Sequence, residues 1–256
     1  MSNYNDTIIK ALHLLDFFTA EKPVIGLTEL SRLSGYPKAN VHRMLSSLLK
    51  CGFLSRSNEY DSDRRYVLGI KLFELGMRVY ENMELNKIAV PFMKELKNTI
   101  NEAVQLVIRD KNEAIYIEKI ETDHMFRLYT AKGRKAPLYA GASGRVLLSY
   151  LPDTEIHNLL ETSLIKFTDK TPINKDVIWD KIQFARKNGY SVSKEELCPG
   201  SMEIAVPIFD SSGKVIASLS TAGPLMRMPE TKLPFFINSL KEYAQKISYQ
   251  LGFIQN

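Results

Sequence analysis

A short basic segment carries the residue types best suited to hydrogen bonding with flat, polar ligands. Between Arg32 and Arg56 the chain has five lysines and arginines and no acidic residue, and Pro37–Arg43 lies near its centre. Arginine can bond a guanine edge through two parallel hydrogen bonds, and asparagine can bond adenine in the same way. Arg43 and Asn40 therefore have the chemistry of a nucleic-acid reader, although a solvated charged face would show the same excess of basic residues.

Three helices and a hairpin are predicted to position this segment. Apolar residues recur at helical spacing within 7–21, and a short helix is predicted from an N-cap at Thr28 to Ser34. Gly35 supplies a turn, and Pro37 suits the first position of a third helix, where no backbone N–H is needed. The apolar face of that third helix comprises Val41, Met44, Leu45 and Leu48.

This pattern predicts a helix–turn–helix whose third helix enters a DNA major groove with its N-terminal residues. The candidates for reading bases are Lys38, Ala39, Asn40, His42 and Arg43. The candidates for phosphate contacts are Ser46, Ser47 and Lys50 on the helix, with Arg64 and Arg65 on a wing. Segments 53–56 and 64–68 are its predicted strands. A plain three-helix bundle and a winged helix that binds protein are the alternatives.

The rest of the chain mixes strands and helices without regular βαβ spacing, which predicts an α+β domain with a largely antiparallel sheet. The predicted strands are 103–109, 114–120, 126–130, 204–209 and 215–220. The predicted helices are 143–150, 176–187 and a terminal helix with apolar positions from Ile237 to Leu251. The predicted organisation is a DNA-binding domain over 1–70, a connecting helix over 71–88 and a second domain over 89–256.

Composition excludes several other classes. No apolar run approaches membrane-spanning length, and the polar N-terminus lacks a signal-peptide pattern, so we expect a cytoplasmic protein without a membrane partner. Cys51 and Cys198 cannot form a zinc site alone, and the four histidines lack metal-ligand spacing, so no metal or cofactor is expected. The net charge of +5 is a mild hint of an anionic partner. The segment 141–144 superficially resembles a serine nucleophile turn, but it fails the G-x-S-x-G pattern.

Several motifs together resemble a known family. They are Tyr36–Arg43, Arg64–Gly69, Phe73–Gly76, Tyr116–Ile120, Gly133–Arg145, Gly189-Tyr190, Glu195-Glu196, Pro199-Gly200, Ile204–Pro207 and Gly223-Pro224. In this order and spacing, from about Ile8 to Leu251, the chain resembles the IclR-type bacterial transcriptional regulators. The resemblance implies a winged helix–turn–helix and a GAF-like effector-binding domain. It also implies dimers, often paired as tetramers, on palindromic operators in double-stranded DNA, and small organic acids as effectors.

The resemblance also implies an effector site at the open end of the sheet. The positions carried over are Leu128, Ala136, Ala142, Ser143, Ser193, Ser201, Glu203, Ser220 and Ala222. Leu128 and Ala136 correspond to apolar walls. The backbone N–H groups of Ala142 and Ser143 are expected at a helix N-terminus, which favours the carboxylate of an effector.

Three positions depart from the glyoxylate-sensing members of that family. Ser193 replaces an aspartate, Glu203 a cysteine and Ala222 a serine. A buried glutamate would repel a small dicarboxylate, which favours an effector with one carboxylate and several hydroxyls, such as a sugar acid. The alternative is that Glu203 points to solvent, since a slip of one residue in a hairpin reverses the face of every side chain.

Overall fold

A computed structural model describes residues 4–57, 65–128 and 130–254. The chain divides into two compact units, Met1–Met83 and Glu84–Asn256. Among the described residues, no helix is both long and apolar enough to cross a membrane. Within the same residues, no cluster of histidine, cysteine, aspartate or glutamate could hold a metal ion.

The N-terminal unit is a winged helix–turn–helix. Its elements are α1 (Asp6–His13), a 3-10 turn (Leu14–Phe17), β1 (Ile25–Gly26), α2 (Leu27–Ser34), α3 (Lys38–Lys50), β2 (Leu54–Arg56), β3 (Arg65–Leu68) and α4 (Ile70–Glu81). The three strands form an antiparallel sheet in the order β1-β3-β2. The wing strands β2 and β3 agree with the predicted hairpin, and β1 adds a short strand that the sequence pattern did not indicate.

The starts of α2 and α3 differ from the predictions by one or two residues. Gly26, not Thr28, is the N-cap of α2, and Pro37 is the N-cap of α3, one position before the predicted place. Proline fits there because an N-cap residue has non-helical backbone angles, and Pro37 has a ψ of 133°. Gly35 ends α2 in the left-handed conformation with φ of 70°, which favours glycine and makes the tight turn into α3.

The core of this unit buries one face of each helix against the small sheet. The predicted apolar stripe of α3 is buried, and it packs with Leu14, Ile25, Leu30 and Tyr66. This packing fixes which face of α3 is left for solvent. The predicted first helix, however, gives way to the 3-10 turn at Leu14.

The segment predicted as one connecting helix, 71–88, contains parts of two helices. The first, α4, ends at Glu81, and the second starts at Glu84 and belongs to the other unit. The predicted domain borders, at 70/71 and at 88/89, stay predictions.

The C-terminal unit is a curled antiparallel sheet with helices on both faces. Its elements are α5 (Glu84–Ile100), β4 (Ala103–Asp110), β5 (Glu113–Ile120), β6 (Lys135–Pro137), α6 (Ala142–Ser149), α7 (Asp153–Leu160), α8 (Lys175–Asn188), β7 (Ser191–Lys194), β8 (Ser201–Phe209), β9 (Val215–Pro224) and α9 (Leu233–Gln250), with 3-10 turns at Leu225–Arg227 and Glu230–Lys232. The six strands lie in the order β6-β5-β4-β9-β8-β7, which confirms the predicted α+β class.

The two faces of the sheet pack against different partners. Ile204 and Val206 of β8 join the core that α5 and α9 cover. The alternate residue Ala205 packs against α6 with Ala142 and Val146. Because side chains alternate along a strand, Glu203 lies on the α6 face with Ala205.

The predicted strand 126–130 is wrong for the residues that are described there. Residues 126–128 and Thr130 lie in an irregular segment. Phe126 is 69% exposed and Leu128 is half-buried, whereas Thr130 is buried and hydrogen-bonded to Gln105 and Lys119. The described residues therefore do not show the alternating burial of a strand.

Candidate nucleic-acid interface and ligand site

The exposed face of α3 carries the predicted DNA-reading residues. The exposed side chains are Lys38, Ala39, His42, Arg43, Ser46, Ser47 and Lys50, and Asn40 is half-buried. The buried stripe on the opposite side anchors the helix in the core. An exposed, basic helix that follows a tight turn has the geometry for docking into a groove of DNA.

Two polar side chains on this face form a hydrogen bond with each other. The guanidinium of Arg43 donates from Nη2 to Oδ1 of Asn40 at 2.7 Å. Ser46 and Ser47 donate their hydroxyls to the helix carbonyls of His42 and Arg43. A phosphate contact donated by either serine would therefore require its hydroxyl to rotate away from the helix.

The wing residues are less completely placed. Arg65 is half-buried at the start of β3, and Arg64 lies outside the described residues. Arg56 at the end of β2 places its guanidinium 4.7 Å from the ring centre of Tyr66. This cation–π contact holds a further basic group at the C-terminal end of the wing strand β2.

A buried carboxylate marks a second site, at the N-terminus of α6. Glu203 is 9% exposed. Its Oε2 accepts from the backbone N–H of Ala142 at 2.7 Å, and its Oε1 accepts from the hydroxyl of Ser143 at 2.5 Å. The hydroxyl of Tyr116 also donates to Oε1, at 3.3 Å. The three donors come from α6 and from β5, so Glu203 joins elements across the curled sheet.

These contacts correct one expectation and decide another. The sequence predicts that the backbone N–H groups of Ala142 and Ser143 favour the carboxylate of an effector, but the N–H of Ala142 donates to the protein's own Glu203, as does the hydroxyl of Ser143. The alternative in which Glu203 points to solvent is wrong, because the side chain is buried on the α6 face.

The pKa of Tyr116 is shifted by its surroundings in this site. Burial, and next the nearby Glu203 carboxylate, raise the pKa of the Tyr116 phenol well above its ordinary value. The phenol therefore keeps its proton and acts as a donor to Glu203.

A second carboxylate at the same helix end has cationic partners. Glu196 is buried, and it accepts from the guanidinium of Arg145, from Nζ of Lys181 at 3.1 Å and from the N–H of Gly141 at 3.1 Å. Arg145 is 1% exposed and also donates to Ser191 at 3.1 Å. This network ties the loop before β8 to α6.

Further polar groups continue along the same face of the sheet. Ser193 and Ala222 stand directly opposite Glu203 on the two neighbouring strands. Ser220 donates to Oε1 of Gln105 at 3.3 Å, and Nε2 of Gln105 donates to the hydroxyl of Thr130 at 3.1 Å. The α6 face of the sheet thus carries two groups of buried polar side chains, one around Glu203 and one around Gln105.

Three predicted positions have other surroundings. Leu128 is half-buried in the loop before β6, and Ala136 of β6 packs in the apolar cluster that includes Ala114. Ser201 donates its hydroxyl to the carbonyl of Cys198 at 2.5 Å, so it stabilises the turn before β8.

Tyr116 and Gln105 were missed by sequence reasoning. Gln105 was detectable, because it is the one amide in the otherwise apolar run 103–108, and a polar residue inside a buried strand demands a partner. Tyr116 carried no such signal, because an aromatic residue in a strand is ordinary.

A surface groove of about 730 Å³ lies along the edge strand β7. Charges of both signs line it, from Arg145, Lys181, Asp180 and Glu230. Arg145 links this groove to the Glu196 network, whereas Glu203 does not line it.

The two sites define a class of protein: a winged helix–turn–helix unit followed by an α+β unit with a buried polar site. Comparison with known proteins then gives the family. The model "Bacterial transcriptional regulator IclR C-terminal" matches residues 77–249, and the "IclR helix-turn-helix domain" matches residues 7–57. The chain belongs to the IclR family of bacterial transcriptional regulators, and it is not an enzyme.

Individual relatives match over nearly the full length. The chain is 43% identical to the HTH-type transcriptional regulator KipR of Bacillus subtilis over 254 residues. This match covers 99% of this chain and 100% of that protein. The chain is 34% identical to KdgR of Escherichia coli, over 96% of this chain and 93% of that one. A solved IclR-type structure from Alicyclobacillus acidocaldarius has a TM-score of 0.85 at 26% identity, and covers 97% of this chain and 100% of its own.

Proposed function

We propose that this regulator binds a palindromic operator in double-stranded DNA, and that a small organic acid with several hydroxyl groups, such as a sugar acid, controls that binding from the C-terminal unit. The DNA half rests on the exposed face of α3. The ligand half rests on one observation: buried polar side chains beneath α6, centred on Glu203, which lie on the sheet face opposite the apolar core that α5 and α9 cover.

The proposed DNA contacts divide by chemistry. Base reading is assigned to Lys38, Ala39, Asn40, His42 and Arg43, and backbone contacts to Ser46, Ser47, Lys50, Arg64 and Arg65. The hydrogen bond between Arg43 and Asn40 supports the assignment of both as base readers, because it orients the two side chains toward each other on the same face of α3.

The proposed effector contacts centre on Glu203. The predicted residues around it are Ala142, Ser143, Ser193, Ser220 and Ala222, with Leu128, Ala136 and Ser201 at greater remove. Tyr116 and Gln105 are added because their side chains bond to members of this group. Hydroxyls on several strands suit a ligand that is itself rich in hydroxyls.

We further propose that the regulator acts as a dimer or tetramer. The observation in support is that α1 and α4 leave large apolar side chains exposed, among them Ile8, Leu12, Ile70 and Phe73. The two residues on each helix share a helical face, and exposed apolar faces of this kind mark association sites. Sedimentation equilibrium of the purified chain gives the assembly mass.

A ligand panel tests the control of DNA binding. Sugar acids, aromatic acids and small dicarboxylates are screened by thermal shift, since a ligand at about 100 times its Kd stabilises by about 2.7 kcal/mol. Each hit is then titrated into a complex of the protein with its operator. We expect a hydroxylated monocarboxylic acid to change operator affinity at least fivefold. Absence of any effect from every acid that binds would contradict the proposal.

A further inference from the structure

We propose that Glu203 determines the ligand class of the proposed effector site: it occupies the anion position at the N-terminus of α6, excludes a ligand carboxylate from that end, and offers an acceptor to a hydroxyl or ammonium group instead. This inference rests on the proposed function, and it adds the chemistry and orientation of the effector. In this orientation the carboxylate of an acid effector lies away from α6.

The first observation is that Glu203 makes the contacts of a bound anion. A helix N-terminus has free N–H groups and a positive dipole end, and both favour a negative oxygen. Glu203 meets the N–H of Ala142 at 2.7 Å and the hydroxyl of Ser143 at 2.5 Å. A ligand carboxylate would need these same donors.

The second observation is the difference between the two buried glutamates. Arg145 and Lys181 form ion pairs with Glu196. Glu203 instead accepts from a backbone N–H and two hydroxyls, and the positive charge of Arg134 acts on Tyr116, one of those donors. A ligand carboxylate would have to displace Glu203 from these donors, whereas a ligand hydroxyl can bond to it.

The third observation is an unused acceptor position. A carboxylate offers about four lone-pair sites. Ala142, Ser143 and Tyr116 supply three donors, two to Oε1 and one to Oε2. Oε2 can therefore accept one more hydrogen bond, and a hydroxyl or an ammonium group can donate it.

Lys119 lies toward the other end of this face of the sheet, opposite Gln105 on the neighbouring strand, and its side chain is 6% exposed. Its Nζ is already bound by the carboxylate of Glu121 at 2.6 Å and by the carbonyl of Thr130 at 3.0 Å. A sugar acid therefore fits with its hydroxyls toward Glu203 and its carboxylate away from α6.

Chemical rescue tests the role of Glu203 without knowledge of the effector. The substitution Glu203→Ala removes the atoms that acetate contains, so acetate can re-enter beside Ala142 and Ser143. At constant ionic strength, we expect acetate to raise the Tm of the variant by about 2 °C or more relative to chloride. Wild type should show no such rise, and neutral acetamide should rescue neither protein.

Two results would overturn the inference: acetate that stabilises wild type as much as Glu203→Ala, or acetate that fails to stabilise the variant. If Glu203→Ala does not fold, the same titration is made on Glu203→Ser and on the refolding yield of either variant with acetate present. The two proposals can fail separately. If acetate does not rescue Glu203→Ala but acids still change the operator affinity of wild type, only the role of Glu203 is contradicted. If acetate rescues the variant but no acid changes the operator affinity of wild type, only the proposed function is contradicted.

Discussion

At the scale of residues, the chemistry of this chain depends on which neighbours each charged group has. Glu196 and Glu203 both accept from the start of α6. Arg145 and Lys181 neutralise the first, whereas hydroxyls and a backbone N–H surround the second. The same residue type therefore builds the scaffold in one place and faces the proposed ligand in the other.

Arg43 is expected to carry base recognition. The change Arg43→Ala should weaken operator binding by about 1–3 kcal/mol, because it removes a side chain able to bond guanine twice. Arg43→Lys keeps the charge but loses the paired geometry, so it should retain salt-dependent binding to any DNA and lose preference for the operator. Fluorescence anisotropy on operator and scrambled duplexes measures both.

Lys187→Ala is the control for that series, because it removes one positive charge from an exposed position in the C-terminal unit. It should leave operator affinity unchanged. Retention of full operator preference by Arg43→Ala, with a normal melting curve, would refute the assignment.

Tyr116 is expected to make stability depend on alkaline pH. Burial and Glu203 raise its pKa in the folded protein above the ordinary value of about 10. Above about pH 10 the unfolded phenol loses its proton and the folded one does not, so the stabilisation is full below that pH and falls above it.

Urea unfolding of wild type and Tyr116→Phe between about pH 8 and pH 11 checks this linkage. Near neutral pH the variant should lose about 1 kcal/mol, the usual worth of one hydrogen bond. Above about pH 10 the free energy of unfolding of wild type should fall more steeply than that of the variant. Parallel curves would contradict the linkage.

At the scale of elements, the sequence predicted what periodicity can encode. The stripe Val41–Leu48 fixed the face of α3 correctly, and Gly35 and Gly189 end α2 and α8 as their patterns indicated. Glu203 could be placed on a face only after the register of β8 with β9 was known, because that register is a non-local property.

Contacts between distant segments lay beyond sequence reasoning. Tyr116 reaches Glu203 across 87 residues of sequence, and Glu196 reaches Arg145 across 51. Neither distance follows from local spacing. The irregular loop around Phe126 was mistaken for a strand for the same reason, since only tertiary packing decides whether a short apolar run joins a sheet.

The buried Glu196 network is expected to hold the start of α6 in place. Glu196→Gln keeps the size of the side chain but leaves the guanidinium of Arg145 buried without a counter-charge. Loss of one partner of a buried ion pair costs about 3–5 kcal/mol. Urea unfolding followed by circular dichroism should therefore show a lower midpoint.

The exposed ion pair between Lys194 and Glu230 is the matched comparison. Glu230→Gln should leave the unfolding midpoint unchanged, because exposed pairs are screened by water and salt. Equal effects from Glu196→Gln and Glu230→Gln would show that the α6 network is no more than a surface contact.

At the scale of the whole molecule, the chain joins an output unit to a sensing unit. The N-terminal unit presents α3, and the C-terminal unit encloses the polar surface around Glu203. The family establishes transcriptional regulation. An acid effector, a palindromic operator and assembly into dimers or tetramers are proposed.

Selection of binding sites from a random pool of duplex DNA tests the central claim most directly. We predict enrichment of an inverted repeat, with half-site centres about 10 base pairs, or a multiple of that, apart. Wild type should bind it about 1,000-fold or more tightly than scrambled DNA. No enriched sequence, or equal binding to selected and scrambled duplexes, would contradict the assignment of α3 as a reader of DNA.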